Sequence, residues 1–470
     1  MLFAQRQCGY ELNRAALIAR DPSWAQKLET QKASLQGIAD NYKQQMNSGA
    51  AKKTTTISAI PVIFHFCVTN AQLAQIGGVA GVAQRCDSQI AVLNRDYNRE
   101  NSDSVSIPYG WKSRYASVGI RFGLAHTAPN GYGTPGYEIE IVPDVPGGFS
   151  GSSTNYSTLK HTATGGLDGW DVTKYMNIWC ANFTDYPGLL GLTTFKSETG
   201  GTGFPVDEEG ICVNYAAVGK RASSSDYYIY TGQPGDYYDL GRTLTHEVGH
   251  FFEIWHTWGD DGGACPWNGG SDDGLADTPP EGDAHFYNWP DTIPGGTYYD
   301  GCQYDGVIDT QLTMYGVASL DYLNYTDDIA MHMFTIDQAA AMAAMALVPP
   351  TGGTGATGAG TIGESYSLTQ NPNLLNWSVK TSVQQVNGGY SLNIFPNPST
   401  GIFYLTFDKT TDDLLQIEVI NMLGQEVQNM TTAGQQTDNY SIDLAAMSKG
   451  IYFVRCNFAS GSITRKILLQ

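Results

Sequence analysis

Basic charge is what this 470-residue chain has least of: 26 Lys and Arg stand against 46 Asp and Glu, for a formal net charge of −20. Phosphate binding needs concentrated Lys and Arg, so nucleic acid is excluded as an expected partner. Cysteine is sparse too, eight residues with no CxxC spacing, which argues against a zinc-thiolate cluster. No apolar run approaches the roughly 18–20 residues that a membrane span requires. The opening "MLFAQRQCGYE" lacks a charged n-region and a full h-region, so it reads as no more than the clipped tail of a signal peptide. Histidine is equally scarce, eight in all.

Hydrophobic residues make up 41% of the chain, enough for a real core, and the length suggests two or three domains. Gly (54) and Tyr (28) are abundant, a mix that suits a loop-rich secreted protein. Cysteines in an oxidising compartment are expected to pair. Cys265 and Cys302 bracket a Gly/Asp-rich loop and form the first candidate disulfide. Cys180 in "NIWCANF" and Cys212 in "GICVNY" lie on strand-like runs and form the second, as cross-strand neighbours.

Composition shifts along the chain predict four segments. Residues 1–53 read as a helical prosegment: 11–47 carries apolar residues at helical spacing, and eight basic side chains outnumber four acidic ones. A basic leader on an acidic body fits an inhibitory segment held partly by charge, with Lys52–Lys53 as the cleavage point; a plain N-terminal helix is the alternative. Residues 54–347 turn mixed α/β, with strands at "AIPVIFHFCV", "VGIRFGLAH", "YEIEIV", "KYMNIWCA" and "LLGLTTF". Helices are predicted at "DLGRTLTHEVGHFFEIW" and "TIDQAAAMAAMAL". Residues 348–389 begin with "PPTGGTGATGAGTIG" and read as a Gly/Thr-rich linker. Residues 390–470 show short alternating runs with turn signals between them, the pattern of an all-β sandwich.

Three of the eight histidines fall in "THEVGHFFEIWH", residues 245–256. His246 and His250 are about one helical turn apart, so both imidazoles leave one helix face and can meet one ion. Glu247 points about 100° around the helix, where it can act as a base beside the metal. Two histidines leave zinc short of ligands, and His256 is the candidate third. A straight helix would carry it roughly 15 Å away. The chain must therefore stop being helical near 252–254 and reverse, a place where Gly is usual and Glu253 stands. A left-handed non-Gly residue costs on the order of 1–2 kcal/mol, small beside the roughly 10 kcal/mol or more of structural zinc binding.

"HEVGHFFEIWH" resembles the HExxHxxGxxH zinc signature of metzincin endopeptidases, and "GRTLTHEVGHFFEIWHTWGD", "DGLADTPP" and "NYTDDIAMHMFT" resemble the pappalysin family within that clan. The resemblance implies an α/β (α+β) catalytic domain with a twisted five-stranded sheet and an active-site helix, in which "GLLGLTTF" is the edge strand that aligns a peptide. It implies zinc on His246, His250 and His256, and Glu247 as general base toward a zinc-held water. Aligned on "YTDD", Leu323 replaces the usual Met-turn methionine, a volume-conserving swap, and Tyr325 would stabilise the oxyanion. It places Asp328 in the S1′ pocket, with Asp327 as the alternative, favouring Arg or Lys at P1′; either aspartate can instead cap a turn. Calcium is expected on the acidic loop, with Asp272, Asp273 and Asp277 nominated. Cys8 stands where some metzincin prosegments place a thiolate on the zinc, and an ordinary cysteine is the alternative.

"NIFPNPSTGIFYLTF", "INMLGQEV", "GIYFVRCNF" and "TRKILLQ" resemble the C-terminal sorting domain of the type IX secretion system. The sequence therefore predicts a secreted or cell-surface zinc endopeptidase, exported through the outer membrane and made as a zymogen. Its partners would be a peptide or protein substrate and the type IX machinery. The rival is a catalytically inactive, metal-containing surface-binding protein, and a zinc hydrolase of non-peptide substrates is a third reading.

Overall fold

A computed structural model describes residues 7–48, 59–143, 156–183, 188–229, 238–260, 272–279, 281–282, 284–287, 318–347, 366–375, 392–411, 414–421, 426–432, 437–458 and 461–470. The chain begins with strand β1 (Gln7–Cys8) and helices α1 (Tyr10–Arg20) and α2 (Ser23–Ser48). The helical stretch expected over 11–47 is thus two helices. Proline at 22 disfavours a helical residue before it and has no N–H to donate. Asp21 is accordingly extended (φ −149°, ψ 105°), and its carboxylate accepts the Ser23 N–H that opens α2.

A mixed sheet follows, built from β2 (Ala59–Val68), β3 (Arg121–Leu124), β4 (Tyr137–Ile141), β5 (Met176–Ala181), β6 (Leu189–Thr194) and β7 (Gly210–Asn214). Helices α3 (Asn70–Gln75), α4 (Gly78–Asp96) and α5 (Tyr109–Lys112) lie between β2 and β3. The strand order is β1-β6-β7-β5-β2-β3, with β4 also on β2. β3 pairs with Ala59–Val62 and β4 with Phe64–Val68, so the two share one outer position. Without β1 the sheet is five positions wide. Only β6 runs antiparallel to its neighbour in this sheet. β5, β6 and β7 are buried along their whole length, as continuous apolar strands covered on both faces should be.

The register corrects one expected disulfide. Cys180 lies level with Val213 and Cys212 level with Trp179, so the two thiols leave opposite faces of the sheet. Cys180 packs with Val213, Cys212 packs beside Trp179, and both are free. Adjacent strands were legible; the one-residue offset was not. Cys265 and Cys302 lie outside the described residues, as do Lys52 and Lys53.

The lower part of the first unit carries α6 (Arg242–Phe251), the short parallel pair β8 (Phe286–Tyr287) and β9 (Tyr325–Thr326), and α7 (Ile336–Leu347). α2 packs along α7, where Lys43 Nζ lies 2.5 Å from Asp337 Oδ1 and Gln36 donates to the same carboxylate. Within the stretch expected as linker, α8 (Tyr366–Thr369) and a 3₁₀ turn (Pro372–Leu375) pack on β2. There the Leu374 carbonyl accepts the His126 and Thr127 N–H groups. The first compact unit accordingly extends over Met1–Ser378.

The second unit, Val379–Gln470, is all β among its described residues. β10 (Leu392–Phe395), β11 (Ile402–Thr411) and β14 (Thr437–Asp443) form one sheet. β12 (Leu414–Asn421), β13 (Glu426–Thr431), β15 (Gly450–Phe458) and β16 (Gly461–Leu469) form the other. Alternate residues of both, among them Phe403, Leu405, Ile417, Val454 and Ile467, make one buried core. Among the described residues no helix is long and apolar enough to cross a membrane.

Candidate metal centre

Helix α6 ends where the histidine spacing requires. Glu253 takes the left-handed conformation at φ 68°. The Glu253 N–H donates to the His250 carbonyl and the Ile254 N–H to the Gly249 carbonyl, the bond pair of a Schellman ending. Glu253 in place of glycine has a physical reason. Its Oε1 accepts the Ser197 N–H at 3.0 Å and its Oε2 the Ser197 hydroxyl at 2.6 Å, which ties the turn to the end of β6.

The reversal brings three imidazoles together, with Nε2–Nε2 separations of 3.1, 3.1 and 3.0 Å. A tetrahedral ion with arms of 2.0–2.1 Å would set them roughly 3.3 Å apart. Each opposite nitrogen is fixed by an acceptor. His246 Nδ1 donates to the Tyr322 carbonyl (2.7 Å), His250 Nδ1 to the Ile254 carbonyl (2.7 Å) and His256 Nδ1 to Asp260 Oδ1 (2.5 Å). These bonds leave all three Nε2 lone pairs facing one point, the usual support of a histidine–metal site. Burial, and then the neighbouring His256 ring, push the His250 pKa well below its ordinary value, keeping the ring in its neutral, ligating form. The donor set fits zinc. Asp260 was not singled out in the sequence; only its i+4 spacing from His256 could have suggested it.

Cys8 completes the set: its sulfur and the three histidine nitrogens all lie within 4.8 Å of one another. β1 pairs parallel with β6, Cys8 level with Gly191, and the Gly9 N–H donates to the Gly191 carbonyl at 2.8 Å. The backbone of residues 7–9 thus lies on the edge strand beside the metal point.

Glu247 lies against the same strand, its Oε2 accepting the Thr193 hydroxyl at 2.7 Å. A Cβ on Gly191 would stand 2.4 Å from Glu247 Oε1, so only glycine leaves room for the carboxylate. Beneath α6, Leu323 is fully buried, and a Cβ on Gly249 would meet its Cδ2 at 2.9 Å. Leucine therefore fills the Met-turn position by packing. Tyr325 lies near the ligands, its ring 4.9 Å from that of His256. Its hydroxyl accepts the Cys8 N–H at 3.1 Å. Burial raises its pKa well above the ordinary value, so it stays a protonated donor.

Asp328 is buried, and its Oδ2 accepts the N–H groups of Leu240 (2.9 Å) and Arg242 (3.2 Å). It holds the start of α6, and Asp327, the alternative for the pocket, is buried beside it in sequence. The three carboxylates nominated for calcium do not form a group with ligand atoms within 4.8 Å of one another, while Asp273 Oδ2 and Asp277 Oδ1 are buried without hydrogen-bond partners. Asp272 closes a turn onto the Gly274 N–H, Asp273 accepts from the Leu275 N–H and the Thr278 hydroxyl, and Asp277 accepts the Asp337 N–H. Among the described residues, Cys8 with the three histidines is the one group of three or more such side chains that can share an ion.

The comparisons agree with this geometry. Residues 166–346 match the family described as pregnancy-associated plasma protein-A, and residues 393–470 match the secretion system C-terminal sorting domain. A promirolysin mutant from Tannerella forsythia has a similar structure, with a TM-score of 0.53 and 25% identity, covering 78% of this chain and 98% of that one. An extracellular metalloprotease of Arthroderma otae is 32% identical over 109 residues, 23% of this chain and 32% of its own length. Extracellular metalloprotease 1 of Coccidioides posadasii is 34% identical over 115 residues, 24% of this chain and 33% of its own. The chain thus spans about a third of the curated relatives it matches. Residues 166–346 thus match the pappalysin family model, in a chain whose residues 393–470 match the secretion sorting domain.

Proposed function

We propose that this protein is a secreted zinc endopeptidase held latent by its own first 53 residues. The observation that carries the reading is the convergence of three Nε2 atoms 3.0–3.1 Å apart, with the Glu247 carboxylate outside that group. His246, His250 and His256 would hold zinc, which when bound polarises a carbonyl and acidifies water. Glu247, oriented by Thr193, takes the proton from the attacking water and delivers it to the leaving amine. Tyr325 donates its hydroxyl to the oxygen that gains charge. β6 offers its edge to the substrate backbone, an edge that β1 covers in this chain.

Latency has two supports. Cys8 takes the position a water would need, and the basic helices fasten the segment around it. Lys32 Nζ donates to the Gly259 carbonyl, Arg14 to the Asp260 carbonyl and Arg20 to the Gly203 carbonyl. Hydrolysis of a quenched peptide by prosegment-released protein, abolished by a chelator and by Glu247→Ala, tests the reading. Zinc-loaded protein that hydrolyses no peptide would favour the surface-binding alternative.

A further inference from the structure

Tyr10 follows Cys8 by two residues and is fully buried. Its ring stacks on Phe195 at a centroid distance of 4.5 Å and on His250 at 5.4 Å, with Trp255 edge-on at 5.3 Å. These three rings lie beyond residue 54 and remain when the prosegment departs. We propose that the pocket Tyr10 fills is a substrate subsite for an aromatic side chain, tyrosine above all, two or three residues from the scissile bond. The inference rests on the peptidase reading and adds to it a preference that no zinc ligand encodes.

The walls argue for a flat ring, since offset and edge-on aromatic contacts favour one over an aliphatic chain of equal size. A buried carboxyl held by the Phe195 backbone, beside one wall of the pocket, argues for a hydroxyl. Glu198 is fully buried; its Oε2 accepts the Phe195 N–H, while its Oε1 has no hydrogen-bond partner. The Tyr10 hydroxyl is likewise buried without one. Tyr10 is the first residue of α1, which limits how deeply its side chain can reach. A tyrosine on an extended peptide lacks that restraint and can donate to Glu198, whereas phenylalanine leaves the carboxyl oxygen unpaired.

Cys8 lies level with Gly191, and Phe195 follows the last residue of β6, so the pocket sits beyond the C-terminal end of the edge strand. A peptide antiparallel to β6 would place the preferred residue N-terminal to the cleaved bond, and a parallel one C-terminal to it. A cationic occupant is the rival, because the Arg14 guanidinium lies 5.3 Å over Trp255.

The test uses the full chain after prosegment release and quenched peptides that differ at one position at a time. Tyr, Phe, Leu, Arg or Ala is placed at each of three positions on either side of the bond. At one position kcat/KM should be about tenfold higher for Tyr than for Ala, with Phe between, and Phe195→Ala should remove most of that difference. A flat profile, or one favouring Arg there, overturns the subsite and leaves the peptidase reading intact. Absence of all hydrolysis sinks the peptidase reading instead, and the pocket is then decided without turnover. The unprocessed Tyr10→Ala chain should gain melting temperature when titrated with N-acetyltyrosinamide, while the unsubstituted chain should not. No gain, or an equal gain in both, overturns the proposal.

Discussion

Glu253 holds a backbone conformation that costs a non-glycine residue about 1–2 kcal/mol, and it is held there by two hydrogen bonds from Ser197 to its carboxylate. Bonds to a charged group contribute about 1.5–3 kcal/mol each, enough to offset the strain. Glu253→Ala keeps the strain and loses both bonds, whereas Glu253→Gly relieves it. The alanine variant should therefore melt at the lower temperature, and equal melting temperatures would contradict this account. The strain was legible from histidine spacing alone. The anchor was not, because Ser197 stands 56 residues away and nothing local marks it. Gly191 carries a second prediction. Its missing Cβ leaves Glu247 its place, so Gly191→Ala should lower kcat on the order of a hundredfold. Zinc content, read by atomic absorption, should stay unchanged; loss of zinc would mean that the strand, not the base, had moved.

At the scale of elements, α6 is fixed at both ends by residues outside itself: Asp328 on the N–H groups of Leu240, just before it, and Arg242, its first residue, and Ser197 through Glu253 just past its last turn. Removing such a cap costs about 0.5–2 kcal/mol. Asp328→Ala should lower stability by that amount in denaturant titration and leave the ranking of P1′ residues unaltered. A lost preference for Arg or Lys would place Asp328 in the pocket. The sequence pointed to Asp328 but not to its task, since "YTDD" records a position near the site and not which way its carboxylate turns. The prosegment behaves likewise. Its helical content was legible from apolar spacing, but the single stretch expected is divided at Asp21-Pro22. The parallel pairing of β1 with β6 was not, since a two-residue strand has no periodicity to read. With Cys8 replaced by Ala, the unprocessed chain should hydrolyse peptide with a shorter lag than the parent; an unchanged lag would show that the helices alone impose latency.

For the whole molecule, the two compact units have separate buried cores, and the motif-bearing unit ends before Val379. A chain shortened to residues 1–378 should therefore bind zinc and hydrolyse peptide as the full chain does while failing to be exported. Loss of zinc binding would show that the sandwich supports the site. Fold class was readable because apolar period changes along the chain: continuous in β5 to β7, helical in α6 and α7, alternating after residue 392. The split outer strand and the docking of residues 366–375 were not, since both depend on which surface a short segment meets.

The most direct measurement is X-ray absorption at the zinc edge, before and after prosegment release. The account predicts three nitrogen ligands and one sulfur at roughly 2.3 Å in the unprocessed chain, and loss of the sulfur with the nitrogens retained once the prosegment leaves. A spectrum without sulfur in the unprocessed chain, or with fewer than three nitrogens in either form, would contradict it.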